Sequence, residues 1–339
     1  MKTKRTRMQE HAAHSIWRLY ARPALAVVLT SAMLTTGLVL PSSILRSADA
    51  ATTSSAATAS TSKQAVSAKT AQQSYNLFLQ RLQKPSTLGL ARATLINRIA
   101  QFDTYRASIA VLQLENAYNQ HFSYAEDLIY QESIQDQLMK KYKSDLTMRQ
   151  AVSLMSNASD RKAMQMLADM GYRLESSEGV FYPIIDYPAF STFLSYISPD
   201  IRDYILIMSS EAKSATTSDA GIIIPPAELL KRGLAKEAFL NNYAVSNRRA
   251  AVEQEYRLSQ YYIFYGSDNT PLFDPQTLEI DPQFQEAYHK LLNNYSAEQI
   301  KGSKILTNLS DLMKLVDQNG GKRTSVVDQF LKQRVGELF

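Results

Sequence analysis

Cysteine is missing from all 339 residues, which excludes a disulfide framework, a thiolate nucleophile and any cysteine-held metal. Histidine is almost as scarce. His11 and His14 sit near the start, and His121 and His289 are far apart with no H-E-x-x-H spacing, so no metal site is expected. Asp268-Asn269 and Asp274 supply oxygen ligands, but not at the spacing of an EF-hand. The chain also lacks a G-x-S-x-G elbow, a P-loop and a G-x-G-x-x-G fingerprint. No cofactor is expected. Trp17 is the only tryptophan, and 11 glycines are few for a chain of this length, which suits helices joined by short turns.

What the first fifty positions do contain is unevenly distributed. Lys2, Lys4, Arg5, Arg7, Arg18 and Arg22 face only Glu10, and an uncharged apolar run over 24–40 follows. Ala48-Asp49-Ala50 then offers the small-x-small pattern of a signal-peptidase site. This three-part build predicts a secretory signal over 1–50, cleaved near Ala50, and a secreted or cell-wall-associated protein. The same run, kept as an uncleaved anchor, would be the only membrane attachment. The segment holds seven of the 37 basic residues and two of the 32 acidic ones, so its removal leaves 30 of each. A neutral chain lacks the uncompensated basic field that phosphate binding requires, and nucleic acid is excluded as a partner.

Residues 51–71 are dominated by Ala, Ser and Thr and predict a disordered tether, with an Ala-driven helix as the competing form. From Gln72 onward the periodicity is helical. Leu88, Leu95, Phe102 and Ile109 recur every seven residues and predict one long helix over 87–119, followed by another from Tyr124 to Lys143. Thr147 and Ser159 are expected to cap two shorter helices, the second stopping at Gly171. The period then switches to two over Tyr172–Ile185, around a four-residue turn ending in Gly179, which predicts a β-hairpin. Later helices are announced by Ser198-Pro199, Pro225-Pro226, Ser246, Asp281-Pro282 and a Ser296/Gln299 capping box, and Gly320-Gly321 separates the last two. The expected fold is mainly all-α: a helical bundle or irregular array with one short β-hairpin near 172–185. It divides into an N-terminal helical region over 72–170, the hairpin over 171–186 and a C-terminal helical region over 187–339, with 72–339 acceptable as one domain.

Two sets of residues are candidates for function. Glu175, Glu178 and Asp186 lie on or beside the hairpin, and a carboxyl pair with separated acidities is the equipment for cleaving a glycosidic bond. Turn and cap roles explain the same residues without catalysis. Tyr261, Tyr262 and Tyr265, with Asp268, Asn269 and Phe273 in the loop that follows, offer aromatic and polar groups for binding, or else the packed end of a helix.

Residues 227–265 resemble a tetratricopeptide-like helical hairpin in Ala235, Ala238-Phe239-Leu240, Tyr243 and Ser246, with Ala244 where that family's closing turn usually has proline. The order of hairpin, Asp186-Tyr187, paired helices and Asn269-Thr270-Pro271-Leu272-Phe273 resembles exported proteins of spore-forming Gram-positive bacteria. The resemblance implies an envelope location. The function expected from these features is a protein- or peptide-binding helical module of the cell envelope, not an enzyme. A cell-wall hydrolase using the hairpin carboxylates, with the wall polymer as partner, and a structural surface-layer protein are the alternatives.

Overall fold

The computed structural model describes residues 54–141, 146–177 and 179–336. The expected leader, its cleavage site and Glu178 lie outside them. The described residues up to 76 belong to one compact unit and those from 77 onward to another. The described part of the first is helical, continuous with α1 (Ser54–Leu82), so the stretch from Ser54 to Ala71 takes the Ala-driven helix rather than the predicted tether. Ala has the highest helix propensity, and the sequence continues without a breaker to Leu82.

The second unit begins with helices and confirms a mainly all-α protein. α2 (Leu88–Arg98) and α3 (Thr104–Gln120) replace the single long helix expected there. The break has a local cause: the Asp103 side chain accepts from the Arg106 amide at 2.8 Å and starts a new helix inside an unbroken apolar stripe. In the same way α4 (Phe122–Ile129) and α5 (Glu132–Lys141) stand where one helix was expected. α6 (Met148–Val152) opens on a Thr147/Gln150 capping box, and α7 (Ala158–Met170) is capped by Asn157, not Ser159. Gly171 ends α7 at φ +92°, a conformation that glycine adopts at little cost.

The hairpin forms as the periodicity predicts. β1 (Tyr172–Ser177) pairs antiparallel with β2 (Val180–Ile185) in the register Tyr172↔Ile185 to Ser177↔Val180. Gln135 of α5 closes the outer edge of β2, accepting from the Phe181 amide at 3.0 Å and donating to its carbonyl at 2.8 Å. That pairing covers backbone groups that an open strand edge would expose. A 3-10 helix over Tyr187–Phe193 leads to α8 (Pro199–Lys213).

Beyond α8 the chain makes a two-residue-per-strand hairpin, β3 (Thr217–Ser218) with β4 (Gly221–Ile222). α9 (Pro226–Asn242) and α10 (Arg249–Phe264) then fold back on each other as a helical hairpin. Gly233 makes their close approach possible: a Cβ there would stand 2.8 Å from Ile263 Cδ1 and 3.1 Å from Ile305 Cδ1. A third small hairpin, β5 (Gly266–Ser267) with β6 (Thr270–Pro271), occupies the loop that the sequence left irregular. α11 (Pro282–Leu292), α12 (Ala297–Gly302), α13 (Lys304–Gln318) and α14 (Ser325–Arg334) complete the fold. Leu229, Ile263, Phe264, Leu272, Tyr288 and Leu309 are at the centre of the C-terminal core. Each such side chain contributes about 1.5–3 kcal/mol by leaving water. Among the described residues no helix is long and apolar enough to cross a membrane.

Candidate binding platform

The aromatic end of α10 is built by helical spacing. Tyr261 and Tyr265, one turn apart, stack with centroids 5.3 Å apart, and Tyr262 meets Tyr261 edge-on at 6.1 Å. Arg323 lies over the Tyr265 ring at 5.7 Å. Gly266 then reverses the chain at φ +82°, where a Cβ would come within 2.3 Å of the Thr270 carbonyl oxygen. Only glycine fits that position. The return strand carries Leu272 and Phe273 into the core. Phe273, offered by the sequence as a binding residue, is 6% exposed and packs inside, so it leaves the candidate surface. Phe273 pairs with Ile280, itself a core residue, across an isolated bridge.

Asp268 and Asn269 stay exposed at the tip of the β5–β6 turn, and they face a second turn. Asp219 and Ala220, between β3 and β4, have φ of +47° and +54°. Two positive values in succession are the geometry of a type I′ hairpin turn, which favours Asn-Gly and is strained with Ala in the second place. Asn269 braces that tip. Its amide donates to the Ala220 carbonyl at 3.0 Å, and its side-chain nitrogen donates to the Asp219 carbonyl at 2.6 Å. In return the Ile222 amide donates to Thr270 Oγ1 at 3.0 Å. Two turns 50 residues apart in sequence thus form one exposed platform, with Ile223 open to solvent beside it.

A buried charge network supports the platform from below. Glu211, near the end of α8, accepts from Thr216 Oγ1 at 2.8 Å, from Arg232 at 3.2 Å and from Lys236 at 3.3 Å. Arg232 also donates to the Ser214 carbonyl at 2.8 Å and to Thr216 Oγ1 at 3.0 Å, pinning the chain that leads into β3. Glu228 pairs with Arg232 at 3.1 Å, and its acidity is strengthened: bonds from Arg232 and Lys231 outweigh desolvation. Lys236 donates to Ser259 Oγ at 2.8 Å and stands 3.9 Å from Glu255. Burial raises the Glu255 carboxyl above its ordinary range against the pull of Lys236, and the charge of Glu211 adds to the rise. The Lys236–Ser259 contact resembles a nucleophile with its base, but Lys236 Nζ is the donor in it and is shared with Glu211 and Glu255. Nearby, Gln260 Nε2 and Ser267 Oγ are buried without a protein partner.

The sequence did not single out Glu211, Arg232, Lys236 or Glu255. One signal was present: Lys236 and Gly233 fall in helical phase with the apolar Leu229, which places a charge on the buried face of α9. Glu115 carries the same signal, in phase with Val111 and Tyr118 on α3. It is 1% exposed and accepts from the Tyr187 hydroxyl at 2.6 Å, from the Tyr204 hydroxyl, and from Arg248 at 2.6 and 3.0 Å. Burial, and then the charge of Glu115, push both tyrosine hydroxyls well above the usual range. Ser246 and Tyr243 hydroxyls donate to Asp200 and Asp203, each at 2.7 Å, so the turn between α9 and α10 is held along its length.

Of the hairpin carboxylates, Glu175 and Asp186 do not gather. The register puts Glu175 opposite Tyr182 and Asp186 just beyond Ile185, four residues on, or about 13 Å along the strand. Carboxyl pairs in glycosidases stand about 5–9.5 Å apart. Glu175 pairs with Arg173 at 3.2 Å, and burial followed by its charge pushes the Tyr182 hydroxyl up to about 12. Asp186 precedes the 3-10 helix without a side-chain cap bond. His121 bonds the Leu82 carbonyl at 2.8 Å and His289 bonds Asp317 at 3.2 Å; among the described residues no three candidate ligands converge.

A basic cleft of about 410 Å³ lies at the start of α13 between Lys301, Lys304 and Arg334. Its helix end is already satisfied, because Ile305 and Leu306 donate to Glu237 and Ser303. Comparison with protein-family models, with curated proteins and with solved structures gave no match to this chain.

Proposed function

We propose that the protein is an exported, non-catalytic component of the cell envelope that holds a protein or peptide partner on the paired-turn platform. The observation that carries this reading is the bracing of the strained Asp219-Ala220 tip by Asn269. Strained backbone persists only where its surroundings over-determine it, and such places are often ligand clamps. A rigid exposed turn presents polar backbone and Asp268 to a partner with little ordering cost. Tyr262 and Tyr265 flank it with rings that add contact area at low conformational entropy. The export part of the proposal rests on the leader pattern over 1–50.

The test is site-specific photo-crosslinking in the source cell, with the crosslinker placed at Asp268 or Ile223 and, as a control, at exposed Glu132. A discrete adduct at the first two positions, lost when Asn269→Ala loosens the tip, is the expected result. Equal adducts at all three positions, or adducts unaffected by Asn269→Ala in a folded protein, would refute the platform assignment. N-terminal sequencing of the secreted product should begin near Ala51.

A further inference from the structure

The cleft at the start of α13 carries charge of one sign. Lys301 from the end of α12, Lys304 from the first position of α13 and Arg334 from the end of α14 line it, and no carboxylate does. Lys301 and Arg334 stand at helix C-terminal ends, where the helix dipole favours cations. Lys304 stands at the opposite, positive end of a 15-residue helix, where the dipole disfavours one. Both lysines are exposed, and among the described residues neither has an ion-pair partner. Arg334 has a loose one, Asp311 at 3.7 Å.

Packing brings the three cations together. The Thr307 hydroxyl donates to the Ile300 carbonyl at 2.7 Å and ties the end of α12 to α13. Asn308 Nδ2 donates to the Arg334 carbonyl at 3.3 Å and ties α13 to the end of α14. Asn308 is buried, so this second tie is fixed from inside. The helix amides play no part in the cleft, because Ile305 and Leu306 already donate to Glu237 and Ser303. Glu237 is buried behind the helix start and makes no ion pair with either lysine.

We propose that this cleft binds the phosphate ester of a small hydroxyl-rich molecule, either free or as the unit of a polymer. A phosphate accepts from several directions at once. It takes a guanidinium through two parallel bonds and ammonium groups as point charges, which suits cations arriving from three helices. The cleft volume of about 410 Å³ lies within the roughly 300–1,000 Å³ of small-molecule sites, so the phosphate is only part of the ligand. The rest of the lining is polar and holds no aromatic ring. Thr307 and Gln333 there suit hydroxyl groups, not a base or an acyl tail. The charge balance of the whole chain excludes a broad basic field, and a recess of this size needs none. Exposed lysines are screened by salt, so the affinity is modest, with Kd on the order of 0.1–1 mM. The site is independent of the partner-binding platform.

Nitrogen-15 NMR of the purified protein, titrated with sn-glycerol 3-phosphate, tests the assignment. Saturable shifts are expected in the amides of 301–308 and 333–334, with glycerol giving none and inorganic phosphate binding more weakly. Lys301→Gln and Lys304→Gln should each weaken binding about three- to tenfold, as the loss of one charge-assisted contact near the surface. Both positions are exposed, so the variants should keep the wild-type circular dichroism. Lys314→Gln removes the same charge from the same helix outside the cleft and should leave binding unchanged. No saturation by about 10 mM, or a loss in Lys314→Gln equal to that in Lys304→Gln, overturns the site in favour of diffuse attraction. Inorganic phosphate binding as tightly as the ester overturns the hydroxyl-rich part. A poly(glycerol phosphate) oligomer at equal phosphate concentration then separates the sources: tighter binding than the monoester supports a polymer, and weaker binding supports the free ester.

Discussion

Replacing Arg248 by Met should be among the most damaging single changes in this fold, although Arg248 is near the surface. The guanidinium supplies two of the four hydrogen bonds on Glu115 and, among the described residues, its only countercharge at bonding distance. Truncation leaves a carboxylate that is 1% exposed with two tyrosine hydroxyls for company. Breaking a buried pair from one side costs about 3–5 kcal/mol, against roughly 0–1 kcal/mol for an exposed pair. At roughly 2–4 °C per kcal/mol for a body of this size, Tm should fall by about 6–20 °C.

The pair also joins residues 133 positions apart, so its loss frees the α9–α10 turn from α3. Urea denaturation followed by circular dichroism gives the value directly. The companion measurement is Glu115→Leu, Arg248→Met, Tyr187→Phe and Tyr204→Phe together, which removes every orphaned polar group at once. That quadruple variant should recover most of the loss, because uncompensated burial, not the missing attraction, is the damage. A loss below about 1 kcal/mol in Arg248→Met, or a quadruple loss equal to the sum of its singles, would refute the reasoning.

Two further outcomes are expected. Ala220→Gly should raise stability by about 0.5–1 kcal/mol, since glycine adopts φ +54° without the penalty that a Cβ brings; a destabilised variant in urea titration would show that the tip is not strained. Acid should weaken the fold once pH drops below about 4. Burial pushes Asp200 upward, but the bonds from Ser198 and Ser246 win and hold it below its ordinary range. Hydrogen bonds from Arg323 and Lys332 lower Asp328 in the same way. Carboxyls with a lowered pKa stabilise the fold above their unfolded pKa and lose that contribution as pH falls from it through the folded pKa. Thermal melts between pH 5 and pH 2.5 should therefore decline, with a shallower slope in Asp200→Asn.

Much of the scaffold was legible because its signals are local. The Thr147/Gln150 and Ser296/Gln299 boxes, Gly171 as a helix stop, and the strand alternation around Gly179 each depend on residues a few positions apart. Where local signals compete, pattern alone misjudged the result. An uninterrupted stripe from Leu88 to Ile109 hid the Asp103 cap, and Ser/Thr content at 54–71 masked a helix that alanine sustains. Among the candidate residues, Asp268 and Asn269 are exposed as their types suggest, and Phe273 is lost to the core because packing decides what is buried beyond the turn at Gly266.

By itself, then, the amino-acid order determined the class of fold, most helix boundaries and the hairpin, since hydrogen-bonded turns and amphipathic periods are encoded over a few neighbouring residues. Only the tertiary structure decided which charges are buried and which turns meet. The contacts of Asn269 with Asp219, Lys236 with Glu211 and Glu115 with Arg248 span 25 to 133 positions. Packing brings those partners together, and no local rule of spacing contains the distance between them.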